Sequence, residues 1–123
     1  MMDLERYFEN TKGTGVLATA DKDGKVNTAI YSRPHFLEDG SIAFIMLDRL
    51  THHNLQSNPY ASYLFKENEE GYKGKRLYLK KIREEHDTEL LKSLRRRKYS
   101  KEETKFLVFF NLENELPLIG DKK

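Results

Sequence analysis

The sequence contains no cysteine, and that single absence excludes several chemistries together. Disulfide frameworks, thiol nucleophiles, thiolate zinc sites and iron–sulfur clusters all need the missing sulfur. No apolar run reaches the ~20 residues that a bilayer-spanning helix requires. The N-terminus, MMDLERYFEN, lacks the cationic and then apolar regions of a secretory signal. The expected compartment is therefore the cytoplasm, with no membrane partner. The glycines are scattered singly, so there is no Gly-rich phosphate loop, and no Gly-x-Ser-x-Gly elbow presents a nucleophile. An excess of one charge is missing too. Lys and Arg number 22 against 20 Asp and Glu, and a net charge of +2 does not force a nucleic-acid reading.

What is present is a chain of 123 residues, 37% hydrophobic and 34% charged, which suits a single domain over 1–123 with a real core. Seven Phe and seven Tyr supply aromatic bulk that a disordered chain would lack. Leu4, Tyr7 and Phe8 follow helical spacing, so Met2 to Lys12 reads as a short helix stopped by Gly13 and Gly15. GVLATA then suits a buried strand, and Asp21 to Gly24 a hairpin turn. Lys25 to Phe36 reads as a longer strand, with a second turn at Glu38 to Gly40 and the doubly apolar strand SIAFIML after it. Asp48 to Gln56 reads as a short helix, ended before Pro59. ASYLF and KRLYLKKI read as strands, the second alternating Leu77, Leu79 and Ile82 against Tyr78 and Lys80. Arg83 to Arg97 carries Leu90, Leu91 and Leu94 on one helical stripe, and KFLVFFNLENELPL is the last and most apolar strand. Hairpin turns impose antiparallel pairing. The expected architecture is α+β, mainly β, closed or half-closed as a barrel of six strands.

Few side chains suggest chemistry. His52 and His53 are adjacent, so on a helix they stand about 100° apart and cannot clamp one metal; no metal site is expected. The run RRRK (Arg95 to Lys98) is flanked by Glu84, Glu85, Asp87, Glu89, Glu102 and Glu103. Cations at a helix C-terminus favour the macrodipole, and this solvated reading is preferred over binding to a phosphate backbone. Val26 to Phe65 is more informative. Asn27 and Thr28 interrupt an apolar strand, and IMLDRLTHHN ends a buried strand and opens a helix carrying Arg49, Thr51, His52 and His53. A helix start with unpaired N–H groups, a hydroxyl and a guanidinium can receive a phosphate. The alternative is structural: Asp48 or Thr51 caps the helix, and Asn27 closes a hydrogen bond in the barrel.

These pieces in this order resemble the FMN-binding split-barrel family, the pyridoxamine 5′-phosphate oxidase-like proteins. The most specific piece is NLxxNPxxSxLF, Asn54 to Phe65; GYKGKRLYLK and FLVFFNLENELPLIG extend the similarity over nearly the whole chain. The resemblance implies a six-stranded antiparallel Greek-key split barrel with flanking helices, binding FMN at a homodimer interface. It carries Asn27 and Thr28 to positions near the flavin and Met46 and Leu47 to the strand end under the isoalloxazine. Arg49, Leu50 and Thr51 are carried to the phosphate turn. Strand alternation sends the Asn27 and Thr28 side chains to opposite faces, so one acts through its backbone or sits at a bulge. Family members place Lys at or beside the Leu50 and Thr51 positions, and this chain has none there; Arg49, His52 or Arg33 would replace that charge. FLVFFNL is apolar on both faces, which a second copy would cover; burial inside the barrel and under the last helix is the alternative.

The leading expectation is thus a homodimeric, FMN-dependent oxidoreductase whose substrate and redox partner are unspecified, with pyridoxamine phosphate oxidation itself not assigned. A non-catalytic carrier of flavin or heme, with His52 or His53 as heme ligand, is the alternative. An interaction module built around RRRK is the third.

Overall fold

Hydrogen-bonding along the chain produces three short helices and seven strands, in a computed structural model that describes residues 2–96 and 103–120. In chain order these are α1 (Met2–Asn10), β1 (Gly13–Ala20), β2 (Val26–Ile30), β3 (His35–Phe36), β4 (Ile42–Leu47), α2 (Leu50–Ser57), β5 (Tyr60–Glu67), β6 (Gly74–His86), α3 (Glu89–Leu94) and β7 (Lys105–Pro117). Arg97 and Lys98 of the basic run lie outside the described residues, as does the polar stretch that follows as far as residue 102. Among the described residues no helix is long and apolar enough to cross a membrane.

All seven strands join one antiparallel sheet in the order β2-β1-β5-β6-β7-β4-β3. The sheet is not closed, and it has one strand more than expected. The long strand anticipated over Lys25 to Phe36 breaks in two, because Ser32-Arg33-Pro34 lies between β2 and β3 and Pro34 brings no N–H to a ladder. This break sets the shape. β2 and β3 are consecutive in sequence yet occupy opposite ends of the sheet. Six flat inter-strand spacings would separate them by about 29 Å, whereas the five Cα steps from Ile30 to His35 reach at most about 18 Å. The sheet must therefore roll up, leaving a split between β2 and the β3–β4 hairpin.

Inside the roll lie Leu17, Phe44, Met46, Tyr63, Phe65, Leu77, Leu79, Val108 and Phe110, with Leu4 and Phe8 of α1 packed among them. Gly15 permits a close approach. A Cβ there would meet the Tyr63 hydroxyl, which donates to the Tyr31 carbonyl at 3.1 Å.

The expected helix over Arg83 to Arg97 is corrected at its start. Arg83 to His86 pair with Phe109 to Phe106 of β7, so their main-chain groups complete a ladder instead of a helical turn. The helix begins only after Thr88, whose Oγ1 accepts from the Leu91 N–H at 3.3 Å. That short α3 nevertheless covers the outer face of β7. Leu91 and Leu94 pack with Ala43, Leu107 and Phe109, and the Arg83 guanidinium lies 3.6 Å from the Phe109 ring centre. Leu107 to Phe110 are fully buried within one chain. The apolar closing strand consequently gives no reason for a second copy.

Candidate functional site

The split holds a cavity of about 620 Å³, a size that suits a small ligand or cofactor. β2 forms one wall. The Tyr31 N–H donates to Gly15 O at 3.0 Å, and the ladder from Val16↔Ile30 to Ala20↔Val26 runs without a bulge. In an antiparallel pair, residues two apart turn their main-chain groups the same way. Asn27 and Ala29 thus bond towards β1, while Thr28 and Ile30 turn their N–H and C=O groups towards the split. Both Asn27 and Thr28 line the cavity, one by its half-buried side chain and the other along the free edge of the strand. The opposite wall is β4, through Phe44, Ile45 and Leu47.

At the end of β4 the chain turns into α2, whose first residues close one end of the cavity. Arg49 is the N-cap residue in extended conformation and supplies no side-chain acceptor, so the helix start keeps N–H donors without a capping oxygen. Arg49, Leu50 and Thr51 all line the cavity. Buried Thr51 accepts from Asn27 Nδ2 at 3.4 Å, and the exposed Arg49 guanidinium reaches Glu103 at 3.3 Å. α2 is held down by the buried Asn54, which donates to Thr19 Oγ1 of β1 at 3.1 Å.

Two of the eight residues expected at the cofactor lie elsewhere. Met46 points into the interior core and is 1% exposed, because strand alternation turns it away from Leu47. His52 is buried on the far side of α2, its ring stacked on Phe106 at 3.7 Å and 13°. Its Nε2 donates to Glu84 at 2.9 Å, and its Nδ1 lies 3.5 Å from Asp48. Burial pushes the Glu84 carboxyl up, but hydrogen bonds from Gln56, Lys81 and His52 prevail and hold its pKa down at about 2. This network fastens α2 to β6. His52 is spent on structure, and His53 is exposed and does not line the cavity. Among the described residues no group of three or more His, Cys, Asp or Glu could hold a metal.

The cavity also gathers residues outside the expected set: Ala29, Ile30, Tyr31 and Ser32 beside β2, Phe44 and Ile45 on β4, and His35 and Arg96 at the end away from α2, where Arg33 also lies instead of at the phosphate turn. Arg96 Nη1 donates to Arg33 O at 2.7 Å, and Nη2 lies 3.3 Å from His35 Nδ1. Burial, then the charges of Arg96 and Arg33, push the His35 pKa down to about 4. No carboxylate lines the cavity among the described residues. Arg33 was legible as a cation of the right segment, but its proximity to Arg96 depends on rolling the sheet.

No protein-family model and no curated protein matches the chain. Solved structures do. An FMN-binding protein from Syntrophomonas wolfei subsp. wolfei superposes with a TM-score of 0.71 at 21% identity, over 98% of this chain and 91% of that one. A structure described as a candidate pyridoxamine 5′-phosphate oxidase, from Lactobacillus delbrueckii, gives 0.69 at 14% identity, over 94% and 92%. HutZ, the heme storage protein from Vibrio cholerae, gives 0.62 at 19% identity, over 94% and 92%. The chain thus shares the fold of these structures, an FMN-binding protein, a candidate pyridoxamine 5′-phosphate oxidase and a heme storage protein among them.

Proposed function

We propose that this protein binds FMN in the split of its barrel, at the interface of a homodimer, and acts as an FMN-dependent oxidoreductase. The observation that carries the reading is the make-up of one cavity. An uncapped helix start with Arg49 and Thr51 stands at one end, apolar walls from Ile30, Phe44, Ile45 and Leu47 fill the middle, and unpaired strand-edge groups of Thr28 and Ile30 line the side. This donor set fits the cofactor: N–H groups and a guanidinium suit a phosphate dianion, apolar walls suit a flat ring system, and edge amides suit its polar rim. Asn27 keeps Thr51 oriented, and the Asn54–Thr19 bond fixes the helix that carries the donors. Bound FMN would supply the electron and hydride chemistry, while the protein positions it and tunes its electronics.

A carrier role for the same flavin has one observation in its favour, the lack of any carboxylate along the cavity among the described residues, which leaves no acid–base pair at hand. A heme reading is weaker, because neither His52 nor His53 faces the cavity. The test is the absorbance spectrum of the purified protein, followed by denaturation and identification of the released ligand. Flavin bands and released FMN support the proposal. A Soret band, or no uptake of added FMN, overturns it. Oxidation of bound reduced flavin by candidate acceptors then separates enzyme from carrier.

A further inference from the structure

The end of the cavity away from α2 repeats the logic of a phosphate site with different residues. β4 runs from Ala43, the register partner of His35, to Leu47 beside the Arg49 turn, so the two cationic ends stand about 13 Å apart along the strand. Arg33 and Arg96 bring two permanent positive charges to the far end, and no carboxylate lines the cavity among the described residues. The Arg96 guanidinium can only donate, so His35 Nδ1 must accept, and the ring proton belongs on Nε2. His35 is consequently a neutral donor whose free N–H lies on the ring edge away from Arg96. This tautomer also removes it as a heme or metal ligand, since ligation through Nε2 would require the proton on Nδ1, facing a cation. Two guanidinium groups and one neutral N–H donor, next to apolar walls, form a receptor for an organic anion.

We propose that Arg33, His35 and Arg96 form a second anion subsite, which takes the carboxylate or phosphate group of a small organic co-substrate. The anion preference of this end is independent of what the α2 end receives; only the role of the bound acid as co-substrate rests on the flavin reading. Calorimetric titration of the purified chain with 2-naphthoate, 2-naphthyl phosphate and the neutral 2-naphthamide tests it, with the histidine ring resonances followed by NMR. At least one anion should bind more than about 10-fold tighter than the amide, and the His35 signal should shift on binding. Which anion wins identifies carboxylate or phosphate as the natural group. Arg33→Gln should remove most of that preference, and Lys22→Gln, which removes an exposed charge of the β1–β2 turn, should leave it in place. Arg96→Gln should act like Arg33→Gln, but it also loses bonds to the Arg33 and Pro34 carbonyls, so Arg33→Gln is the deciding variant, with His35→Phe as the test of the N–H donor. Equal binding of acid and amide, or a preference lost in Arg49→Ala and kept in Arg33→Gln, overturns the subsite. Failure to bind FMN would leave these titrations interpretable, and failure here would leave the phosphate end untouched.

Discussion

Arg49 stands at an uncapped helix start, its guanidinium 74% exposed and paired with a Glu103 that is itself 39% exposed. Such a pair contributes little in water, so Glu103 yields readily to a phosphate dianion. Charged hydrogen bonds imply that Arg49→Ala weakens FMN by about 10- to 150-fold, while riboflavin, lacking the dianion, changes little; a flavin fluorescence titration reads both. Equal losses would place the phosphate elsewhere. The pH dependence follows from two other residues. His35 is held neutral by burial and by Arg96 and Arg33, with its pKa lowered from 6.5 to about 4. The unfolded chain takes up that proton first, so stability is full above pH 6.5 and falls as the pH drops towards 4. Glu84, lowered from 4.5 to about 2, contributes stability above 4.5 that is lost as the pH falls through 2. Denaturant midpoints should therefore decline in two stages on acidification, and His35→Gln should flatten the upper one. Asn27, Thr28, Arg49 and Thr51 stand out in the sequence because polar groups interrupt an apolar pattern there, and the structure brings them to one cavity. Met46, which the resemblance carries to the flavin, points into the core because strand alternation turns it opposite to Leu47. His52 was misplaced because its partner Glu84 is 32 residues distant; no local spacing reveals that bond.

At the scale of elements, α3 has six residues, too few to be stable alone, and it exists because Leu91 is wholly buried against Leu107 and Phe109. Leu91→Ala should destabilise the protein by about 2–5 kcal/mol in equilibrium unfolding and raise binding of a hydrophobic dye as the outer face of β7 is uncovered. An unchanged midpoint would mean that α3 is not what shields that strand. The same element marks where sequence reasoning stopped. Turns at Asp21–Gly24 and Glu38–Gly40 and the apolar runs of β1, β4 and β7 carry local signals, and the structure has those elements. Arg83 to His86 carry no such signal. Their strand state is imposed by pairing with Phe106 to Phe109, a tertiary partner that overrides local propensity. The opposite happened over Lys25 to Phe36, where a continuous strand pattern was broken by Pro34 and the roll of the sheet.

For the whole molecule, the question is what a second copy would cover. The outer face of β7 is already covered by α3, so the support for a dimer moves to the outer face of β2, β1, β5 and β6. There Val26 is 80% and Ile30 72% exposed, beside exposed Leu64, Tyr60 and Tyr78. The registers Ile30↔Val16↔Leu64 and Thr28↔Ala18↔Ser62↔Tyr78 make these one continuous surface, with small residues at its centre. Exposed apolar side chains grouped on one face, here bordered by Arg76 and Lys80 of β6, mark an interaction surface. It adjoins the cavity, because β2 supplies both the face and the cavity wall. A second copy seated there would complete the mouth of the proposed flavin site. Light scattering should accordingly give about twice 14.5 kDa. Val26→Lys and Leu64→Lys change the face without touching a cavity-lining residue, and they should lower both the mass and the FMN affinity. Tyr72→Lys, an exposed position in the β5–β6 loop, should change neither. A Val26→Lys monomer that keeps wild-type FMN affinity would separate the cofactor from any interface. The split of one barrel would then be the whole site, and its rim residues Ile30 and Leu50 would have to shield the flavin without help.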